Sequence, residues 1–121
     1  MNDNLNEEEF FILRRKGTER AFSGKLLYNK EKGTYNCKGC NNELFTSKSK
    51  FDSSSGWPSF CKPINNAAVK LIDDNSFGMI RTEVTCNNCD SHLGHVFDDG
   101  PKPTGKRYCI NSLSLNFSKY E

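Results

Sequence analysis

Two copies of one short motif, Cys37-Lys38-Gly39-Cys40 and Cys86-Asn87-Asn88-Cys89, constrain this chain more than any other feature in it. A CxxC segment brings two thiolates close enough to clamp one ion, and two such segments complete a tetrahedral, closed, four-sulfur site. We expect Cys37, Cys40, Cys86 and Cys89 to hold one structural Zn2+ per chain, with iron the other ion that four thiolates accept. A closed site keeps no open position, so the metal is expected to do no chemistry. Its job is to hold two hairpins together, and its loss should unfold the domain. Gly39, Asn87 and Asn88 inside the knuckles are expected to suit left-handed turns. Two disulfides, or a redox-active CxxC, are the competing readings of the four cysteines. The first fits poorly with a chain that opens MNDNLNEEEFF, without the basic-then-apolar pattern of a signal peptide. The second calls for a βαβ pattern that the sequence lacks.

Bulk properties narrow the field further. A length of 121 residues suits one domain, and residues 1–121 are read as such, with a helical segment over 1–17 and a β core over 18–117. Lys and Arg number 17 against 15 Asp and Glu, a net charge of +2 with no basic stripe, so nucleic acid is not expected as a partner. No apolar stretch approaches the roughly 20 residues of a membrane span. The expectation is a soluble, cytoplasmic monomer with no membrane or nucleic-acid partner.

The pattern of elements points to a mostly β fold of antiparallel sheets with a short N-terminal helix. Asn6 followed by Glu7, Glu8 and Glu9 reads as a cap and an acidic first turn, and Arg14, Arg15 and Lys16 precede a stop at Gly17. The helix is therefore expected over 7–16, with Phe10, Phe11 and Leu13 as its apolar stripe. Hairpins are expected from 25–29 with 34–37, from 67–74 with 77–84, and from 92–97 with 106–117. In the last, Leu113, Leu115 and Phe117 alternate with Ser112, Ser114 and Asn116, the period of a strand with one buried face.

Two cysteines remain, Cys61 and Cys109. In Arg107-Tyr108-Cys109-Ile110-Asn111 a strand puts Arg107, Cys109 and Asn111 on one face, a guanidinium, a thiol and an amide side by side. A cation beside a thiol favours the attacking thiolate. A buried structural cysteine beside a surface arginine is the plain alternative. Both histidines, His92 and His95, fall in one HLGHVF run and are the natural proton donors near neutral pH. They equally suit polar niches beside the second knuckle. His95, Phe97 and Asp99 share a face if this run is extended. Trp57, the one tryptophan, sits in a Gly-Trp-Pro-Ser-Phe loop that can present its ring to a small apolar group; a plain core tryptophan is the alternative that the residues alone favour.

The segments TERAFSGKLL (18–27), CKGC (37–40), KFDSSSGWPSF (50–60), EVTCNNCDSHLGHVFDDGP (83–101) and PTGKRYCINSLSL (103–115) together resemble the B-type peptide-methionine (R)-S-oxide reductases. The resemblance implies a zinc-knuckle-stapled β fold of the β-tent, Mss4-like kind. It implies reduction of the R epimer of methionine sulfoxide, in proteins and more weakly free, as repair under oxidative stress, with thioredoxin as reductant. Cys109 matches the nucleophile. His92, His95, Asp99, Arg107 and Asn111 match residues around it, and Trp57 matches the residue that meets the substrate methyl, with Phe97 beside it. On this basis His95 is the expected proton donor, His92 and Asn111 help hold the oxygen, Arg107 favours the thiolate, and Asp99 orients Arg107 or a histidine. Many members carry a resolving cysteine where this chain has Ser55. Cys61 is then a candidate substitute resolver, or else a small hydrophobe, and direct reduction by thioredoxin is the preferred route. The alternative to an enzyme is a non-catalytic zinc β domain that binds a protein partner.

Overall fold

A computed structural model describes residues 6–15, 17–75, 78 and 80–120. Helix α1 (Glu7–Arg15) starts as its sequence dictates. The Glu9 N–H donates to Asn6 Oδ1 at 2.8 Å and the Asn6 N–H to Glu9 Oε1 at 3.0 Å, so two end donors are satisfied reciprocally. The Gly17 N–H closes the other end on Phe11 O. Lys16, expected as the last helical residue, lies outside the described residues. The buried face differs from the expected stripe: Glu9, Ile12 and Leu13 turn inward, and Phe11 is 53 % exposed. The spacing i, i+3, i+4 selects one face, and Phe10 and Phe11 fall off it.

Nine strands follow among the described residues: β1 (Gly33–Cys37), β2 (Glu43–Thr46), β3 (Lys50–Phe51), β4 (Ser59–Phe60), β5 (Val69–Asp74), β6 (Arg81–Cys86), β7 (His92–Phe97), β8 (Arg107–Ile110) and β9 (Leu115–Lys119). They build two antiparallel sheets, ordered β2-β1-β9 and β3-β4-β8-β7-β6-β5. The core lies between them. Tyr35 and Phe45 from the small sheet meet Phe60 and Tyr108 from the large one, with Phe45 and Phe60 stacked at 4.4 Å and Tyr35 edge-on to Phe60 at 5.0 Å. Each such buried ring contributes about 2–3 kcal/mol through removal from water.

Two of the expected hairpins form, β5–β6 and β7–β8. Their bounds are narrower than expected: β6 begins at Arg81, Phe77 lies outside the described residues, and Ile80 is exposed. The hairpin of 25–29 with 34–37 does not form. Residues 25–28 are turns, in which the Leu27 N–H donates to Gly24 O and the Asn29 N–H to Leu26 O. Strand β1 instead turns back through its own CxxC knuckle onto β2 and takes β9 on its other edge. Nor is 106–117 one strand. Ser112–Ser114 is a 3₁₀ turn in which the two serines are buried and Leu113 is half-buried. The serines have inward partners, Ser114 Oγ donating to His92 O at 3.0 Å and Ser112 Oγ accepting from the Leu26 N–H at 3.3 Å. Asn111 is thus the point where the chain leaves the large sheet for the small one.

Candidate active site and metal centre

The two CxxC segments close matching turns. The Cys37 N–H donates to Asn42 O and the Asn41 N–H to Cys37 O; likewise Cys86 N–H to Ser91 O and Asp90 N–H to Cys86 O. The left-handed residues of these turns are Asn41 (φ 65) and Asp90 (φ 63), each just after its second cysteine. Glycine and asparagine inside the knuckles are therefore not where the left-handed conformation falls. All four sulfurs lie within 4.8 Å of one another, Cys37 to Cys89 at 3.7 Å and Cys40 to Cys86 at 3.6 Å. Thiolates about 2.3 Å from one tetrahedral ion stand about 3.8 Å apart, so the spacing fits a single bound metal. Disulfides are absent among the described residues, where all six cysteines are free. The Cys37 thiol, hydrogen-bonded to Cys86, is pushed up, and Cys86 is drawn down to about 5. Ser91 Oγ lies 3.0 Å from Cys89 Sγ and accepts from Arg14 Nη1 at 2.8 Å, which ties helix α1 to the knuckle.

Cys109 sits mid-sheet. Register sets it opposite Ser59 of β4 and His95 of β7, and sets Arg107 opposite Phe97. Cross-strand partners share a face, so thiol, imidazole, guanidinium and phenyl ring line one cavity of about 240 Å³ together with Trp57 and Asn111. Gly94 permits the close approach of β7 to β8: a Cβ there would lie 2.0 Å from Cys109 O. Asp99 holds Arg107 with two bonds, to Nε at 2.9 Å and Nη2 at 3.2 Å, and the guanidinium lies 4.6 Å over the Phe97 ring. The guanidinium in turn keeps the Asp99 carboxyl below the usual carboxylate range. Of the two partners open to Asp99 on sequence grounds, the structure has Arg107.

Burial pushes the Cys109 thiol up from the ordinary thiol range. The Arg107 charge and hydrogen bonds from Ser55 and Arg107 pull it down, and Glu19 adds to the push. The expected help from Arg107 toward the thiolate is present, but burial outweighs it in the free protein.

The histidines separate. His95 lines the cavity, its Nε2 2.8 Å from Asp74 Oδ2. His92 is 2 % exposed behind it, ring centroids 5.5 Å apart, with Nδ1 2.8 Å from Glu83 Oε2. His92 does not line the cavity, contrary to its expected place at the substrate oxygen: paired with Thr85 beyond the bulge between Val84 and Thr85, it lies buried against Glu83. Asn111 lines the cavity, yet its amide already has partners: Oδ1 accepts from the Glu19 N–H at 3.0 Å, and Nδ2 donates to Leu93 O at 3.1 Å. One Nδ2 hydrogen is left for a ligand. Trp57 Nε1 donates to Glu19 O at 2.9 Å, which fixes the indole as one wall.

Cys61 does not line the cavity. Its N–H goes to Ser49 O and its carbonyl accepts from Thr104 Oγ1. Ser55, by contrast, reaches Cys109 directly and also bonds Ser53 Oγ at 2.8 Å. Sequence reasoning gave no role to Glu19, Asp74, Arg81 or Glu83. Glu83 and the Thr18-Glu19 pair lie inside the motif segments, which was the available signal. Asp74 and Arg81 flank a hairpin turn and look like surface charges until the fold brings both to His95.

A family model described as the SelR domain matches residues 5–119. Proteins named peptide methionine sulfoxide reductase MsrB from Methanosarcina mazei and Methanosarcina barkeri are each 60 % identical over 117 residues, 97 % of this chain and 84 % and 82 % of theirs. One of the same name from Acinetobacter baylyi is 57 % identical over 117 residues, 97 % of this chain and 84 % of its own. A four-cysteine cluster, a thiol on a cavity wall beside an imidazole, and this identity over nearly the whole length converge: the chain belongs to the SelR-domain family, the B-type peptide methionine sulfoxide reductases.

Proposed function

We infer that this chain reduces the R epimer of methionine sulfoxide to methionine, in proteins and more weakly as the free amino acid, with Cys109 as the nucleophile. The observation that carries this is the placement of the Cys109 thiol on one cavity wall with His95, Arg107 and Trp57. The Cys109 sulfur attacks the sulfoxide sulfur, and the S=O bond breaks as that oxygen is transferred. Methionine leaves, reduced by two electrons, and Cys109 becomes a sulfenic acid, oxidised by two. The thiol proton ends on the transferred oxygen, so the step balances without a further reactant. His95, held at Nε2 by Asp74, is the group that hands a proton to the S=O oxygen, while Arg107 favours the charged sulfur during attack. Trp57 and Phe97 offer the apolar wall for the methyl group. His92 acts through His95 as a positioning residue, and Asn111 sets the cavity floor. A chiral sulfoxide with one apolar and one polar substituent fits such a site in one hand.

The sulfenic acid needs a dithiol to restore it. Thioredoxin attack on Cys109 releases water and leaves thioredoxin as the disulfide. Ser55 stands beside Cys109, where a hydroxyl cannot resolve it, and Cys61 lies off the cavity. Zn2+ in the four-cysteine cluster is structural in this reading. A reducing, cytoplasmic setting suits four metal-binding thiolates. Among the described residues no helix is long and apolar enough to cross a membrane. Without reductant, the enzyme should yield one methionine per chain and a dimedone adduct on Cys109. Cys61→Ser should leave thioredoxin-driven turnover unchanged. An adduct on Cys61, or an internal Cys61–Cys109 disulfide, would contradict this scheme.

A further inference from the structure

Beside the catalytic cavity lies a second hollow, of about 160 Å³, whose walls include Phe22, Tyr28, Phe51 and Trp57. Trp57 lines both hollows, so they are neighbours across one residue. Phe22 is 61 % exposed and Tyr28 69 % exposed. Single exposed aromatics need no explanation. Phe22 differs because its backbone is left-handed, φ 65, a conformation that a bulky side chain adopts at a cost. The surroundings enforce it. The Phe22 N–H donates to Gly56 O at 2.7 Å, and its ring lies over Gly56, where a Cβ would be 3.1 Å from Phe22 Cε2 and 2.8 Å from Ala21 Cβ. Gly56 itself has φ 93 and directly precedes Trp57. A left-handed Phe22, packed on a glycine free to take positive φ, therefore holds an aromatic ring in water beside Trp57.

We propose that this hollow receives a bulky apolar side chain adjacent to the oxidised methionine in an extended segment of the substrate protein. The proposal rests on the reductase reading above and names what the site selects. When the sulfoxide side chain enters the catalytic cavity, the substrate's main chain must cross the rim that Trp57 forms. A neighbouring Leu or Phe side chain then meets Phe22 and Tyr28. An apolar occupant fits the rings of Phe22, Tyr28 and Phe51, while Ser53, Ser54 and Asp52, the one charged residue lining the hollow among the described residues, leave a polar edge for the substrate's main chain. Segments rich in apolar residues are buried in folded proteins, so the site would favour methionines exposed by damage or unfolding.

The test compares two blocked peptides, one with glycine and one with leucine on either side of methionine-R-sulfoxide. The wild type should favour the leucine peptide in kcat/KM about tenfold, mostly through KM, the effect of partly burying one or two such side chains. In Phe22→Asn, which keeps a residue tolerant of the left-handed backbone, the ratio should fall to near one, and in Tyr28→Ser it should fall part of the way. Because the ratio is read within each variant, a general loss of activity cancels. A ratio near one in the wild type, or a full ratio in both variants, overturns the proposal. Turnover of neither peptide by the wild type would instead remove the reductase reading itself.

Discussion

Cys109 is governed by opposing forces of similar kind. Burial raises its pKa, the Arg107 charge and the Ser55 hydroxyl lower it, and Glu19 raises it again. The net direction is upward, so the free protein carries a thiol at neutral pH, and the thiolate grows as pH rises past the ordinary thiol range. Alkylation of Cys109 by iodoacetamide, followed by peptide mass, should therefore accelerate with a midpoint above that of an exposed cysteine. Arg107→Met should move the midpoint higher still, and Glu19→Gln should move it lower. A lower midpoint in Arg107→Met would contradict this account of the site. Much at this scale is legible in sequence: alternation alone puts Arg107, Cys109 and Asn111 on one face. What alternation cannot give is what each side chain already holds. The Asn111 amide bonds the Glu19 N–H, 92 positions away, and His95 meets Asp74 across two strands. Such partners exist only after the sheet forms.

Elements carry the residues to these places, and the CxxC motifs are also elements. Each is a knuckle that turns one hairpin, β1 into β2 and β6 into β7. The knuckles are legible as turns, yet residue spacing does not say which strand follows each, so 25–29 stands as the expected partner of β1 where the structure has β2. The short strands β2, β3 and β4 carried no clear alternation over two to four residues and were missed for that reason. Helix α1 was legible from its cap, but its docking was not. Arg14 bonds Ser91, Ser91 touches the Cys89 sulfur, and Lys38 in the first knuckle pairs with Glu9 at 3.2 Å. The helix thus supports Cys89 from outside the four-cysteine cluster. Ser91→Ala should speed metal release to a chelating dye by roughly tenfold, the usual scale for loss of a group that orients a ligand. Release at the wild-type rate would mean that the helix packs on the knuckle without supporting it.

At the scale of the whole molecule, the cluster joins the two sheets: Cys37 and Cys40 belong to the hairpin of the small sheet, Cys86 and Cys89 to that of the large one. A structural zinc site contributes about 10 kcal/mol or more. Domains are stable by only about 5–15 kcal/mol in total. Removal of the metal by a strong chelator should therefore abolish the cooperative thermal transition at 37 °C, and activity with it. A metal-free protein that melts within a few degrees of the loaded one would show that the aromatic core suffices. The mostly β class and the cluster were legible because they depend on residue type and spacing. The passage of the chain between sheets at Asn111 was not, since buried Ser112 and Ser114 mimic the polar half of a strand pattern.

The central claim concerns one sulfur and one hand of substrate. A peptide carrying racemic methionine sulfoxide, incubated with dithiothreitol and analysed by chiral chromatography, tests it directly. The wild type should consume the R epimer to completion and leave the S epimer untouched, and Cys109→Ser should consume neither. Loss of the S epimer, or persistent loss of the R epimer in Cys109→Ser, would contradict the account.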